Sequence, residues 1–414
     1  MLLNIKGLSS TIACNFMNLF TNKIVNNCFF SLLLIISFPP QITFAQIPEK
    51  VNPLLVNFED ELLPKINRDL TKLERKRIQE KITELDTLAD SELVAGNVDL
   101  AFGLWYRAIN LSRALGVDSE VKMISKVGKI AWEKSRNEDI TFLTDRLLIV
   151  EAKSTNNKEI NSELLPLFID AYEGLHNLDK SITINQKNLE LARLNNEPDK
   201  IKISLDKLGQ FYFAKFDYYR AQPIYEELLT IARINQDYLA EGIYLRKLAE
   251  INSAIIQPEN ALKYKQELAQ NYLKNQNLLA LSILKIAIGD DYKTLKKPEE
   301  ATKSYQEAFN MAWELKQYAV AGDALQKLAK LYQEYEQLDS ALAIYQELIK
   351  VQQLSYNLYG LMNSYDSMGI IYRQKQDSSS AIKSFQKALE ISRNLKYKED
   401  YFLGKLNEVI TPEN

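Results

Sequence analysis

The 414 residues include a single histidine and two cysteines, and both cysteines, Cys14 and Cys28, lie at the very start. Zinc sites, Cys–His nucleophiles and Ser–His–Asp triads need more of these side chains than the chain contains. A disulfide framework is equally excluded for everything after residue 28. The 13 glycines form no phosphate-cradling loop. Positive charge is not in excess either: 51 Lys and Arg face 54 Asp and Glu. Only Lys6 and Lys23 fall in the first 45 residues, which hold no acid, so the remaining 49 bases and 54 acids leave −5. Without a basic stripe to neutralise phosphates, nucleic acid is not an expected partner. Motifs that look catalytic in isolation have simpler readings. Gly289-Asp290-Asp291 falls on a close-packing position of a repeat, and Glu226-Glu227 and Glu299-Glu300 fall early in helices, where acids favour the helix dipole. The lone His176, in Gly174-Leu-His-Asn-Leu-Asp179, reads as a solvated turn residue. No catalytic residue, cofactor or metal ligand is therefore expected.

Long apolar runs are scarce as well. The one at the amino terminus, Cys28 to Phe38, has about 11 residues against the roughly 20 that span a bilayer. Lys23 precedes it, Pro39-Pro40 breaks it, and Thr43-Phe44-Ala45 places small residues at both positions of a cleavage site. These are the regions of a secretory signal over residues 1–45, with Met17 as an alternative start. If left uncleaved, the leader would serve as a membrane anchor. Cys28 stands before the apolar run, so lipidation is not expected.

What the chain has in abundance is periodicity. Gly209, Ala249, Gly289, Ala329 and Gly369 stand at equal intervals, each after an apolar residue. Three positions on come Tyr212, Asn252, Tyr292, Tyr332 and Tyr372; twelve on come Ala221, Ala261, Ala301, Ala341 and Ala381. A fixed period in the range of roughly 20–50 residues is the signature of a solenoid, which has no single core. Small residues at two sites per unit mark where helices approach closely, and Pro258 and Pro298 open helices at the position where a missing N–H is harmless. Before the repeats, residues 46–70 carry Pro48, Pro53 and Pro64 and read as an extended, loosely packed lead-in. Thr71-Lys-Leu-Glu74 is a capping box that starts the first helix.

The motif Leu208-Gly209-x-x-Tyr212…Ala221-x-x-x-Tyr225, with its copies at Ile288, Leu328 and Met368, resembles the tetratricopeptide repeat (TPR). The resemblance covers residues 71–397. It implies an all-α, right-handed α-solenoid of about eight helix-turn-helix units, with two degenerate units at about 118–197. Residues 398–414 would supply a capping helix and tail. The unit is longer than the family's common length of about 34 residues. In this it is similar to bacterial peptide-sensing regulators and kinesin light chains. Pro166 and Pro223 fall inside expected helices, where they should kink them.

The resemblance also implies a concave groove lined by the first helix of each unit, and a protein or peptide as partner. Asp170, Asp206, Gln210, Arg246, Glu250, Asp290, Lys330 and Arg373 fall on positions that face this groove in the family. The Asn and Lys/Arg set with which chaperone-linked repeat domains clamp a peptide carboxylate is missing. Asn-, Lys- and Ile-rich usage and the segment Val51-Asn-Pro-Leu-Leu resemble exported repeat proteins of cyanobacteria. The expectation is an exported, non-enzymatic scaffold in periplasm or thylakoid lumen, at a membrane surface it reaches through a partner or an uncleaved leader. The alternative is a peptide- or ligand-responsive regulator of a signalling pathway.

Overall fold

The computed structural model describes residues 51–411 except 67, 157 and 158, and the unit Asn52–Asn414 is the subject below. The expected leader over 1–45, with Met17 and both cysteines, lies outside the described residues. Sixteen helices pair into eight hairpins. The first four are α1 (Lys72–Val94) with α2 (Val98–Ser112), α3 (Val117–Glu133) with α4 (Asn137–Lys153), α5 (Leu165–Gly174) with α6 (Leu178–Leu194), and α7 (Pro198–Ala214) with α8 (Tyr218–Ile234). Then follow α9 (Tyr238–Ala254) with α10 (Pro258–Lys274), and α11 (Leu278–Thr294) with α12 (Pro298–Glu314). The last two are α13 (Tyr318–Glu334) with α14 (Leu338–Leu354), and α15 (Leu358–Gln374) with α16 (Ser378–Leu395). A single helix, α17 (Glu399–Ile410), packs on α16 and covers the last hairpin. The fold is an all-α solenoid of paired helices with a final capping helix.

From α6 to α16 the helices start at equal steps, as at Leu178, Pro198, Tyr218 and Tyr238, and each step is half the period seen in the side chains. The joint between helices explains this. After α7, the N–H of Lys215 donates to Phe211 C=O, Phe216 adopts a left-handed φ of +57°, and the N–H of Asp217 reaches back to Tyr212 C=O at 2.8 Å. This is a Schellman closure, and Asp217 then caps α8 by accepting from the N–H of Arg220. The joints between hairpins have the same geometry: Gln236 and Tyr356 sit at +54° and +53°, and Asp237 and Asn357 each donate back at 2.9 Å. The backbone therefore repeats every helix, while the side chains, which face different neighbours on alternate helices, repeat every second one.

The small residues do what the spacing predicts. Gly209, Gly289 and Gly369 on first helices lie against the rings of Tyr225, Tyr305 and Phe385 on second helices. Ala221, Ala301, Ala341 and Ala381 are fully buried. Burying such an aromatic side chain is worth about 1.5–3 kcal/mol, so each hairpin has its own anchor.

Three local expectations change. The lead-in is docked rather than loose. Leu54 is fully buried, Asn52 donates to Phe142 C=O, Arg107 pairs with Asp60 at 2.9 Å, and Arg113 donates to Leu54 C=O. Pro166 does not interrupt a helix: α4 ends at Lys153, Thr155–Asn156 and Glu159–Ile160 pair as minimal antiparallel strands, and α5 starts only at Leu165. Pro166 thus occupies the first turn of a short helix, where its missing N–H costs little. His176 is exposed yet stacks on Trp132, with ring centroids 3.9 Å apart.

Candidate binding face

The first helices of successive hairpins carry a ladder of polar contacts. Lys126 on α3 reaches Asp86 and Asp90 on α1, and Lys129 reaches Asp170 on α5 at 2.8 Å. Lys207 on α7 pairs with Glu173 on α5, and Tyr244 on α9 donates its hydroxyl to Asp206 at 2.9 Å. Between α11 and α13, Lys327 meets Asp290 at 2.9 Å and Lys293 meets Glu334 at 2.6 Å. At the end, Arg373 on α15 meets Glu408 on α17 at 2.5 Å. An exposed pair of this kind contributes about 0–1 kcal/mol. Its main effect is to hold side chains in place.

All eight sequence-predicted residues lie on first helices and are accessible to solvent. Six of them are engaged within the chain. Asp170 binds Lys129 and Ser125, Asp206 accepts from Tyr244, and Asp290 takes the Tyr305 hydroxyl at 2.7 Å as well as Lys327. Glu250 pairs with Lys247 on its own helix, Arg246 donates to the Tyr272 hydroxyl at 2.6 Å, and Arg373 holds Glu408. Gln210 and Lys330 make no hydrogen bond or ion pair among the described residues.

Electrostatics separates these acids into two kinds. Burial opposes the charge on Asp170, yet the Lys129 ammonium and Ser125 hydroxyl outweigh it and hold its pKa below the usual carboxylate value. At Asp206 burial wins and raises the pKa against the Tyr244 hydrogen bond and the field of Lys202. Asp323 on α13 is likewise raised by burial, with Lys327 opposing, and makes neither a hydrogen bond nor an ion pair among the described residues.

One feature of this face escaped the charge-based reading. Ile203, Ile243 and Ile283 occupy the same position of α7, α9 and α11 and are 53%, 49% and 55% exposed. Leu239 and Leu279 stand one turn earlier and are 79% and 55% exposed. Scattered exposed apolar residues are ordinary, but these recur at one position of three successive first helices. The signal was available in the sequence as three isoleucines, each one repeat after the last. Clefts accompany the row. One of about 360 Å³ lies between α11 and α13 and is walled by Ile283, Asp290, Asp323 and Lys330. Another, of about 470 Å³, lies where α5 and α6 meet α7.

Residues 321–394, spanning α13 to α16, match the tetratricopeptide repeat family. The chain is a solenoid of paired helices whose last two hairpins carry that family's pattern. Among solved structures it is similar to BtubC (BKLC) from P. vanneervenii, at 18% identity over 53% of this chain and 92% of that one, with a TM-score of 0.38. It is also similar to a signal transduction ATPase with numerous domains and a tetratricopeptide repeat sensor from Pyrococcus horikoshii, at 15% identity and a TM-score of 0.43. That likeness covers 75% of this chain but spans only half the length of the ATPase. Aspartyl phosphate phosphatase F from Bacillus subtilis matches at 14% identity over 69% of this chain and 78% of that one, with a TM-score of 0.42. None of these likenesses bears on what the solenoid binds. The sequence matches no curated protein. Among the described residues no three His, Cys, Asp or Glu side chains gather as metal ligands would.

Proposed function

We propose that this solenoid is an exported, non-enzymatic scaffold that binds a protein or peptide along its first-helix face and works at a membrane surface. The observation that carries the reading is the join of two features on that face: a row of exposed isoleucines, and beside it charges already held in place by neighbouring helices. Side chains held before a partner arrives lose less freedom on binding, and desolvated apolar contacts supply the affinity. Export rests on the leader, with its apolar run before Thr43-Phe44-Ala45. Among the described residues no helix is long and apolar enough to cross a membrane. Contact with a membrane would therefore pass through a partner or an uncleaved leader.

Cell fractionation combined with crosslinking in intact cells tests both halves. The expected result is a product outside the cytoplasm that captures one reproducible partner, with capture lost in Ile203→Glu/Ile243→Glu/Ile283→Glu. A cytoplasmic, uncleaved product would overturn export and favour a regulator. Unchanged capture by the triple variant would overturn the assignment of the face.

A further inference from the structure

The cleft where α5 and α6 meet α7 departs from its counterparts in the other hairpins. Most units place alanine at one buried site of the second helix and an aromatic ring four residues on, as at Ala221 and Tyr225 or Ala301 and Tyr305. Here those sites hold Ser181 and Asn185, each 1% exposed. Ser181 lines the cleft and its Oγ has no hydrogen-bond partner among the described residues. Behind it, Asn185 donates to Glu173 and to Ser181 C=O, which leaves its Oδ1 unpartnered. Leaving such a group unsatisfied in the interior is costly. The missing aromatic ring is thus replaced by buried polar atoms that none of the described residues satisfies.

What the cleft lacks is a free positive charge among its lining residues. Its one cation, Lys207, is taken by Glu173. Asp206, on the opposite wall, has only the neutral Tyr244 hydroxyl and, among the described residues, no cation within ion-pair distance. Besides the neutral Gln210 amide, the cleft's free capacity consists of the Asp206 carboxylate and Ser181 Oγ. Around these stand Leu178, Ile203 and Phe211. Acceptors at depth, apolar walls around them and an open mouth suit a charged donor on a flexible aliphatic stem.

We propose that this cleft receives one Lys or Arg side chain of a protein partner, whose flanking apolar residues lie along Ile203, Ile243 and Ile283. The inference rests on the reading of the first-helix face as a binding face and adds the chemistry of the occupant. Arg matches the planar carboxylate of Asp206 with two parallel N–H donors, whereas Lys would bind as a point charge. A free amine or guanidine would satisfy the same atoms, but it would leave the isoleucine row uncovered. The source is therefore a peptide side chain.

The sole histidine is a built-in reporter. His176 lines the cleft, so its imidazole C–H resonances in the full chain follow occupancy without assignment of other signals. The probe is the capped peptide Ser-Ile-Ala-Arg-Ala-Ile-Ser, compared with the same peptide carrying norleucine for arginine and with free ethylguanidinium. The arginine peptide should shift His176 saturably, and the norleucine peptide should bind at least about tenfold more weakly. Asp206→Asn should lose about tenfold for the arginine peptide only, with Ser181→Ala losing less. Thermal melting of both variants confirms that they fold. Equal binding of the two peptides would overturn the cation assignment and leave the binding face standing. Ethylguanidinium binding as tightly as the arginine peptide would overturn the peptide source. If the His176 signals stay fixed while the natural partner is still captured through the isoleucine row, the cleft is not the receptor. Loss of that capture in Ile203→Glu/Ile243→Glu/Ile283→Glu remains the separate test of the face itself.

Discussion

The ring of Tyr305 lies so close over Gly289 that a methyl group added there would stand 2.5 Å from ring carbon Cε1. The same ring donates its hydroxyl to Asp290 at 2.7 Å, so one side chain both closes the hairpin and orients a charge on the first-helix face. Gly289→Ala should therefore destabilise by about 1–3 kcal/mol through overpacking. Gly369→Ala should do the same against Phe385, where the added group would lie 2.6 Å from the ring. Gly103 and Gly404, inside α2 and α17, have nothing within 4 Å of such a group. There alanine should stabilise by about 0.5–1 kcal/mol through backbone entropy. Urea midpoints of the four variants check the change of sign; equal effects at all four would refute the packing argument.

Ile256 holds a left-handed φ of +59° in the joint between α9 and α10 while 85% exposed. A β-branched residue is strained there, at roughly 1–2 kcal/mol. Ile256→Gly relieves the strain and removes no buried contact, so the thermal midpoint should rise. A fall would mean that the exposed side chain makes a stabilising contact in solution.

Glu120 is 4% exposed between Arg146 at 2.6 Å and Arg113 at 3.2 Å, and Arg113 also donates to Leu54 C=O. Breaking a buried charge cluster by removing one partner costs about 3–5 kcal/mol. Glu120→Ala should reach that range, and it should also free the lead-in by loosening Arg113. Hydrogen exchange at the Leu54 and Leu62 amides reads the second effect. Unchanged exchange would show that Leu54 burial, Asn52 and the Arg107–Asp60 pair hold the segment without Arg113.

Two acids should respond to pH with opposite signs. At Asp366 burial raises the pKa against the Tyr401 hydrogen bond and the nearby Lys398 and Lys405. A folded-state pKa above the unfolded one gives stability below the unfolded value that is lost as pH rises through the folded one. Asp366→Asn should thus raise the melting temperature near neutrality, with the gain disappearing in acid. At Asp60 burial opposes the charge, but Arg107 and the Leu62 N–H prevail and lower the pKa. Its stability is present above the unfolded pKa and lost as pH falls through the folded one. Asp60→Asn should lower the melting temperature at neutrality and match the parent in strong acid. Parallel pH–stability curves for a variant and the parent would contradict either assignment.

What was legible in the sequence was whatever recurs. Gly289 with Ala301 and Tyr305 foretold a close-packed hairpin because the same pattern returns at 369, 381 and 385. The docking of Asn52 on Phe142 joins residues far apart in the chain and occurs once, so no period announces it. The gap between α4 and α5 was hidden because the units around it, with Ile140, Thr144, Ser181 and Asn185 at the motif sites, had lost the markers that set the register. On the candidate face the charged positions follow the repeat register, whereas the isoleucines beside them stand out only once their exposure is known. Which charges were already engaged depended on rotamers across helices, as in the reach of Lys327 to Asp290.

The joints within and between hairpins are alike, and this has a consequence for how such a molecule changes. Every linkage from α6 to α16 has a left-handed residue at the same position and the same return hydrogen bond. Length is then an adjustable dimension: deleting residues 258–297 would rejoin chemically equivalent ends and shorten the binding face by one step. Deleting 258–277, a single helix with its joint, would rejoin them just as smoothly, yet it would turn every later helix to the wrong side. Change in steps of two helices is therefore enforced by the side chains, because the backbone has no means of counting.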